Sequence, residues 1–367
     1  MHIDFHYYGT YAMARAAGLA PEVCQTIATA AQFVDDNDEE REIDLKDVEG
    51  QINVFPTTHG IISMKNSRFA PFDQKTVWVP FHFLPGDEGK KFSERLICRQ
   101  DSKIAREMVR HCRSLVHKPF GLHLLGIAAH VYADTFSHYG FSGVSSRWNR
   151  VEGDSLNLLN SERDEKSEER FRSKYGELNS LPNWRDKAIS GLISLGAELW
   201  TGALGHAGGL TYPDLPYLEW ELRYEHPERS PRAEKRNNAE TFLEACEKLH
   251  ALFRDLAKND QSGKSGEGRE FGDIRSSVKE ILESKEPDKY ERGKKWLSEA
   301  RNGSLFEVAE EIPPYLGEEW KGELGDMEER DSNSAAELSV FKFFQAAATY
   351  RTYVLRDLLP SYGLVLD

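Results

Sequence analysis

Residues 122–140 read "LHLLGIAAHVYADTFSHYG". The run is apolar on nearly every side, and Gly140 and Gly143 stand where a helix would stop. A helix without a polar face belongs at the centre of a bundle, so this stretch predicts a mostly α fold arranged around it. Beyond His123 near its start, three ionisable residues interrupt the apolar surface, His130, Asp134 and His138, each four positions from the next. A helical residue turns about 100°, so residues four apart drift by about 40° and share a face. His130 and Asp134 can therefore bind one metal ion. His138 lies about 12 Å from His130 along the axis, at about 1.5 Å per residue, which asks for a second ion with Asp134 in the middle. Without metal, three buried ionisable groups on one stripe would need an unusual amount of paired burial. Histidine and carboxylate together suit zinc, and are compatible with manganese, iron or nickel.

Outward from this helix, "GTYAMARAAGLAPEVCQTIATAAQFVDD" (9–36) predicts two Ala-rich helices broken at Gly18–Pro21. "INVFPTTHGIISM" (52–64) and "KTVWVPFHFLPGDE" (75–88) are rich in β-branched and aromatic residues and punctuated by Pro and Gly, so short strands or extended loops are expected near 50–85. Helix is expected again between Lys90 and Leu115, a solvated connection over 157–182, and a further apolar helix over 184–209. Residues 257–272, "AKNDQSGKSGEGREFG", have the composition of a linker. The expected organisation is a metal-binding helical bundle over 1–256, a charged insertion with helices over 257–335, and a C-terminal helix over 336–367 that packs back on the bundle.

The 367 residues carry a net charge of -14, which argues against broad nucleic-acid binding, though not against a phosphodiester substrate at a metal-loaded site. Cys24, Cys98, Cys112 and Cys246 are scattered, unlike a disulfide framework or a cysteine–zinc site. No apolar run approaches the roughly 20 residues of a membrane span, and "MHIDFHYYGT" is unlike a signal peptide. The expected location is cytoplasmic and reducing.

Other residues could complete a metal site. His6 opens the first helix, with His2 and Asp4 before it; His82 sits in "VPFHFLPG"; Asp35 and Asp36 end an Ala-rich helix. Acidic residues at a helix C-terminus oppose the macrodipole, and a metal partner would account for them. His206 lies among glycines, followed by Asp214 in a Pro-bounded turn. His59 in "PTTHG" reads equally as ligand or substrate contact, and His123 as core or support for a ligand. His111, His117, His226 and His250 lie in charged surroundings and read as surface residues.

"LLGIAAHVYADTFSH" (124–138) resembles the core helix of the zinc-dependent phospholipase C family, apolar-Gly-x-x-x-His-x-x-x-Asp-x-x-x-His, which often ends in Phe-Ser-His. That superfamily includes single-strand nucleases with a trinuclear zinc site, and the match suggests a cytoplasmic bacterial branch of it. The resemblance covers about the first 220 residues and implies an all-helical bundle that hydrolyses phosphodiesters with metal-activated water. It implies that His130, Asp134, His82 and either Asp35 or Asp36 hold one ion, that His138 and His206 help hold a second, and that His6 binds near Asp134. Asp214 or Glu219 would supply a later carboxylate. Asp35, Asp36 or Asp134 would orient the water. In "SSRWNR", shortly after the central helix, Arg147 reads as a phosphate contact or a surface salt bridge, and Trp148 as stacking on a base or packing. Two departures stand out. The chain begins Met1–His2 where secreted members carry a ligating Trp, leaving His2 or Asp4 as substitutes, and nuclease members space the last Asp and His more widely.

The expected function is thus a metal-dependent phosphoester or phosphodiester hydrolase with a di- or trinuclear His/Asp site, acting on a small phosphate compound, a lipid head group or a nucleic acid. The alternative is a metal-stabilised binding or sensing module without catalysis. An HD-type phosphohydrolase would need an adjacent His-Asp pair, which the sequence lacks. Neither G-x-S-x-G nor G-x-x-x-x-G-K-[ST] occurs.

Overall fold

The computed structural model describes residues 1–47, 49, 51–59, 73–152, 155–160, 205–206, 209, 211–229, 232–259 and 263–366. The expected helix over 184–209, apart from Gly205, His206 and Gly209, lies outside them, as does most of 157–182.

The fold is mostly helical. Helix α1 starts as a wide, π-helical section, Asp4–Gly9, and continues as Thr10–Ala16. Gly18, at φ 99°, breaks the chain, and Pro21 opens α2 (Pro21–Asp36), as the sequence predicts. A two-stranded antiparallel ribbon follows, β1 (Arg41–Asp44) with β2 (Gln51–Val54). Helix α3 combines a π-helical section, Gln74–Trp78, with Val79–Phe81. The strand-like composition of 75–81 therefore ends up helical. Pro80 sits in the Val79–Phe81 turn, directly after the π-helical section and near the end of α3. Helices α4 (Phe92–Arg95), α5 (Lys103–Ser114) and α6 (Gly121–Ser137) come next.

A small antiparallel sheet, β3 (Asn157–Leu158), β4 (Glu219–Leu222) and β5 (Glu234–Asn237), precedes α7 (Asn238–Asn259). The chain then forms α8 (Phe271–Leu282), α9 (Lys289–Arg301), α10 (Gly317–Asp326), α11 (Ser332–Ala336) and α12 (Ser339–Tyr353); Val354–Leu358 extends the last as a third π-helical section.

Helix α6 is buried along its whole length and touches α2, α5, α7 and α12. Its closest partner is α2, and Gly126 sets that distance. A Cβ on Gly126 would stand 2.4 Å from the Ile27 carbonyl oxygen and 2.6 Å from Ala30 Cβ. One core joins α1, α2, α6 and α7 to Phe271, Ile274 and Val278 of α8, Trp296 of α9 and Trp320 of α10. The described helices of the charged segment therefore contribute to the same core. The linker-like stretch is docked as well: Gly263 accepts a backbone hydrogen bond from Ala20, Ser265 donates to Gly18, and Arg269 donates to Ala16. Its glycines permit that approach, since a Cβ on Gly268 would stand 2.5 Å from the Ala16 carbonyl. A smaller core beneath the sheet gathers Phe83, Phe141, Leu215 and Trp220.

In an open helix Gly→Ala stabilises by up to about 1 kcal/mol. At Gly126 the steric conflict reverses the sign, and Gly126→Ala is expected to destabilise the fold by about 1–3 kcal/mol. Urea unfolding checks this, and an unchanged or raised midpoint would contradict the packing.

Candidate metal centre

Four helices and one turn converge on a single buried point. α1 delivers His6 from its π-helical section, α2 delivers Asp35, and α3 presents His82 as its C-terminal cap. α6 delivers His130 and Asp134, with His138 capping its end. Asp214 arrives on the 3-10 turn Tyr212–Asp214, below His206. Ligand-type atoms lie within 4.8 Å of one another in three groups: His6, His130 and Asp134; Asp35, His82 and His130; and His138, His206 and Asp214.

Asp134 is the hub. Its Oδ2 lies 3.2 Å from His130 Nε2, 3.4 Å from His82 Nδ1 and 3.5 Å from His138 Nδ1, while Oδ1 lies 3.2 Å from His6 Nε2. The amino group of Met1 lies 3.0 Å from Asp134 Oδ1 and 3.1 Å from Asp214 Oδ1. Burial alone would lower that amine's pKa, but Asp134 and Asp214 outweigh it and push it up to about 11. Burial likewise opposes ionisation of Asp134, yet His138, the Met1 amine and His130 hold its carboxyl well below the usual range. Asp214 is held down in the same way by the Met1 amine and His206. Burial pushes the Asp35 carboxyl up and, with His130 beside it, keeps the His6 ring well below the usual histidine range.

Hydrogen bonds behind the site orient two of the rings. His82 Nε2 meets the Thr57 carbonyl oxygen at 2.9 Å, so this nitrogen carries the proton and Nδ1 turns a lone pair inward. His138 Nδ1 donates to the His82 carbonyl at 2.9 Å, leaving Nε2 for Asp214 at 3.1 Å.

The donor set fits a cation. His82 Nδ1 and His130 Nε2 face each other at 3.4 Å, and the His6 and His130 rings stack at 3.9 Å. Both ring nitrogens of His6, His130 Nδ1 and Asp134 Oδ2 are buried and make no hydrogen bond among the described residues, an expensive arrangement for groups of this polarity. A positive charge, the Met1 amine, already lies between Asp134 and Asp214. Aspartate oxygens with imidazole nitrogens form a set suited to zinc and its transition-metal neighbours.

His6, Asp35, His82, His130, Asp134, His138 and His206 come together in these groups, and Asp214 rather than Glu219 is the later carboxylate. Glu219 Oε1 instead accepts from Asn237. Asp36 is outside the groups: its side chain accepts from Tyr315 Oη at 2.7 Å and from Gln32 Nε2 at 3.3 Å. His2 and Asp4 are outside the groups too, and both are engaged by the buried Arg292 of α9. Asp4 accepts two of its N–H groups at 2.6 and 3.1 Å, and His2 Nδ1 lies 3.1 Å from the guanidinium.

The candidate substrate contacts are not members of these groups. His59 faces Asp73 at 3.7 Å. Trp148 is buried, stacked on His226 at 3.9 Å and donating to Ser93, so its face is not open to a base, while Arg147 beside it is exposed. His123 packs against Trp320, and His250 is buried with a hydrogen bond to the Arg269 carbonyl rather than lying on the surface. Sequence reasoning missed Thr57, which orients His82, Arg292, which holds Asp4 two residues before His6, and Tyr315, which holds Asp36 outside the groups.

A protein-family model described as a family of unknown function, DUF6765, matches residues 1–358. The chain belongs to that family. No curated protein and no solved structure matches it.

The two neighbouring aspartates separate by experiment. Asp35→Ala is expected to lower the bound transition metal of the purified protein, and Asp36→Ala to leave it unchanged, both read by elemental mass spectrometry. The reverse pattern would mean that α2 is rotated by one residue.

Proposed function

We propose that the protein is a metal-dependent hydrolase of phosphoesters, phosphodiesters foremost, built on a His/Asp centre with zinc as its resident ion. The observation that carries this reading is the merging of three ligand groups around one shielded carboxylate, with partly exposed ligand-type residues at its edges. The Asp134 side chain is 1% exposed, whereas Asp35 and His206 are 26% and 21% exposed. A purely structural site is closed by protein on all sides, and a catalytic one keeps an open position. That opening favours catalysis over a binding or sensing module.

His130 turns the same nitrogen, Nε2, toward Asp35, His82 and Asp134. The first two ligand groups thus describe one seat with a choice of partners. His138, His206 and Asp214 make a second seat, so we favour two ions over three. Ions held there would lower the pKa of a water to about 7 and offset charge on phosphoryl oxygens. Asp35, at the solvent edge, is the group we assign to orient that water and accept its proton. Asp134 keeps the rings of His6, His82 and His130 aimed at one point. The central motif's resemblance to the zinc-dependent phospholipase C superfamily supports the same chemistry.

The net charge of -14 favours a small phosphate compound or a lipid head group over a nucleic acid. No helix among the described residues is long and apolar enough to cross a membrane. The four cysteines, all free and buried, fit the reducing cytoplasmic location we propose.

With zinc or manganese supplied, the protein is expected to hydrolyse bis(p-nitrophenyl) phosphate. His130→Ala should lower kcat/KM by at least about 100-fold, beyond the 10–100-fold typical of a residue that only supports a ligand. Metal-loaded protein inert toward both phosphomonoesters and phosphodiesters would instead support the non-catalytic module.

A further inference from the structure

On the far side of α6 from the metal centre, a groove of about 590 Å³ runs between α5 and α7. Four cations of α5 line it: Lys103, Arg106, Arg110 and Arg113, spaced three, four and three residues apart. Such spacing puts all four on one helical face, where like charges repel. Lys248 of α7 faces them across the groove.

The acidic groups nearby only partly answer this charge. Asp101 takes Lys248 at 3.0 Å and Arg106 at 3.5 Å, and also accepts from Tyr132 at 2.6 Å. Asp255 takes Arg113 at 2.6 Å, and Glu107 accepts from Tyr362 at 2.8 Å. Lys103 and Arg110 make no ion pair among the described residues. A chain with 61 acidic against 47 basic residues has carboxylates to spare for neutralising a surface helix, yet this face keeps its positive charge. The floor is of mixed character, with Val109 and Leu252 beside the rings of Tyr132 and Tyr362.

We propose that this groove binds a small phosphate-bearing anion of at least two negative charges, with Arg106 and Arg110 as its forked donors and Lys103 as a third cation. Arginine matches phosphate oxygens two at a time, and lysine adds a point charge. The apolar floor and tyrosines accommodate the organic part of such a molecule. The same chemistry is offered by a free phosphate compound and by the head group of an acidic lipid. The site is separate from the metal centre and does not depend on the reading given to it.

The test is calorimetric titration of the full-length protein with inorganic pyrophosphate, alongside sedimentation with phosphatidylcholine vesicles with and without phosphatidic acid. Lys103→Gln/Arg110→Gln changes two exposed side chains and is expected to keep the wild-type unfolding midpoint. It should weaken binding by at least about tenfold, because each charge-assisted hydrogen bond lost contributes more than the 1.4 kcal/mol that one decade requires. His130→Ala should retain that binding. Loss of the pyrophosphate signal in the double variant assigns the groove to a free anion, and loss of vesicle binding assigns it to a head group. Binding that the double variant keeps in both assays, or that only His130→Ala removes, would overturn the proposal, as would wild-type protein that binds neither.

Discussion

A carboxylate in an apolar core stays ionised only if positive or proton-donating partners replace the water it has lost. Asp134, at 1% exposure on a helix buried along nearly its whole length, imposes that condition on everything around it. Three histidine nitrogens and the Met1 amine lie within 3.4 Å of its two oxygens. They come from the start of α1, the end of α3 and α6 itself. The convergence of distant segments on this point is what the bundle is built to hold.

The supports behind the site are arranged to the same end. Arg292 reaches from α9 to grip Asp4 and also donates to the carbonyls of Glu286 and Pro287, fixing the turn of α1 that carries His6. Breaking a buried pair of this kind typically costs about 3–5 kcal/mol, because one charge is left unanswered. Two of the three π-helical sections among the described residues, Asp4–Gly9 and Gln74–Trp78, stand at or just before ligand-type residues. An extra residue per turn re-aims side chains without breaking the helix, and His6 and His82 both lie where that adjustment matters.

Much of this was legible in the sequence where the signal is local. The break at Gly18–Pro21, the central helix and the C-terminal helix follow from Gly and Pro placement and apolar periodicity. The choice between Asp35 and Asp36 was not legible, because α2 is buried on both stripes, Cys24, Ala28 and Ala31 leading to Asp35, Thr29 and Gln32 to Asp36; tertiary packing brings Asp35 among the ligand-type groups and turns Asp36 to Tyr315. Residues 75–81 misled because a short β-branched and aromatic run reads alike in a buried strand and a buried helix. Residues 257–272 misled for another reason: Gly and Ser content signals flexibility, but here the glycines admit a close backbone approach to the α1–α2 turn. The pairing of His138 with Asp214, 76 residues apart, and the reach of Tyr315 to Asp36 depend on tertiary closure that no local pattern encodes.

The central claim, that the histidines and aspartates around Asp134 form a metal centre, is tested most directly by anomalous diffraction from crystals grown with zinc, recorded on both sides of the zinc absorption edge. The account predicts one peak among Asp35, His82, His130 and Asp134 and another among His138, His206 and Asp214, each within ordinary ligand distance. Crystals that show the same side-chain arrangement with no anomalous density at either place would contradict it, and would leave Asp134 as the hub of a buried proton-sharing network.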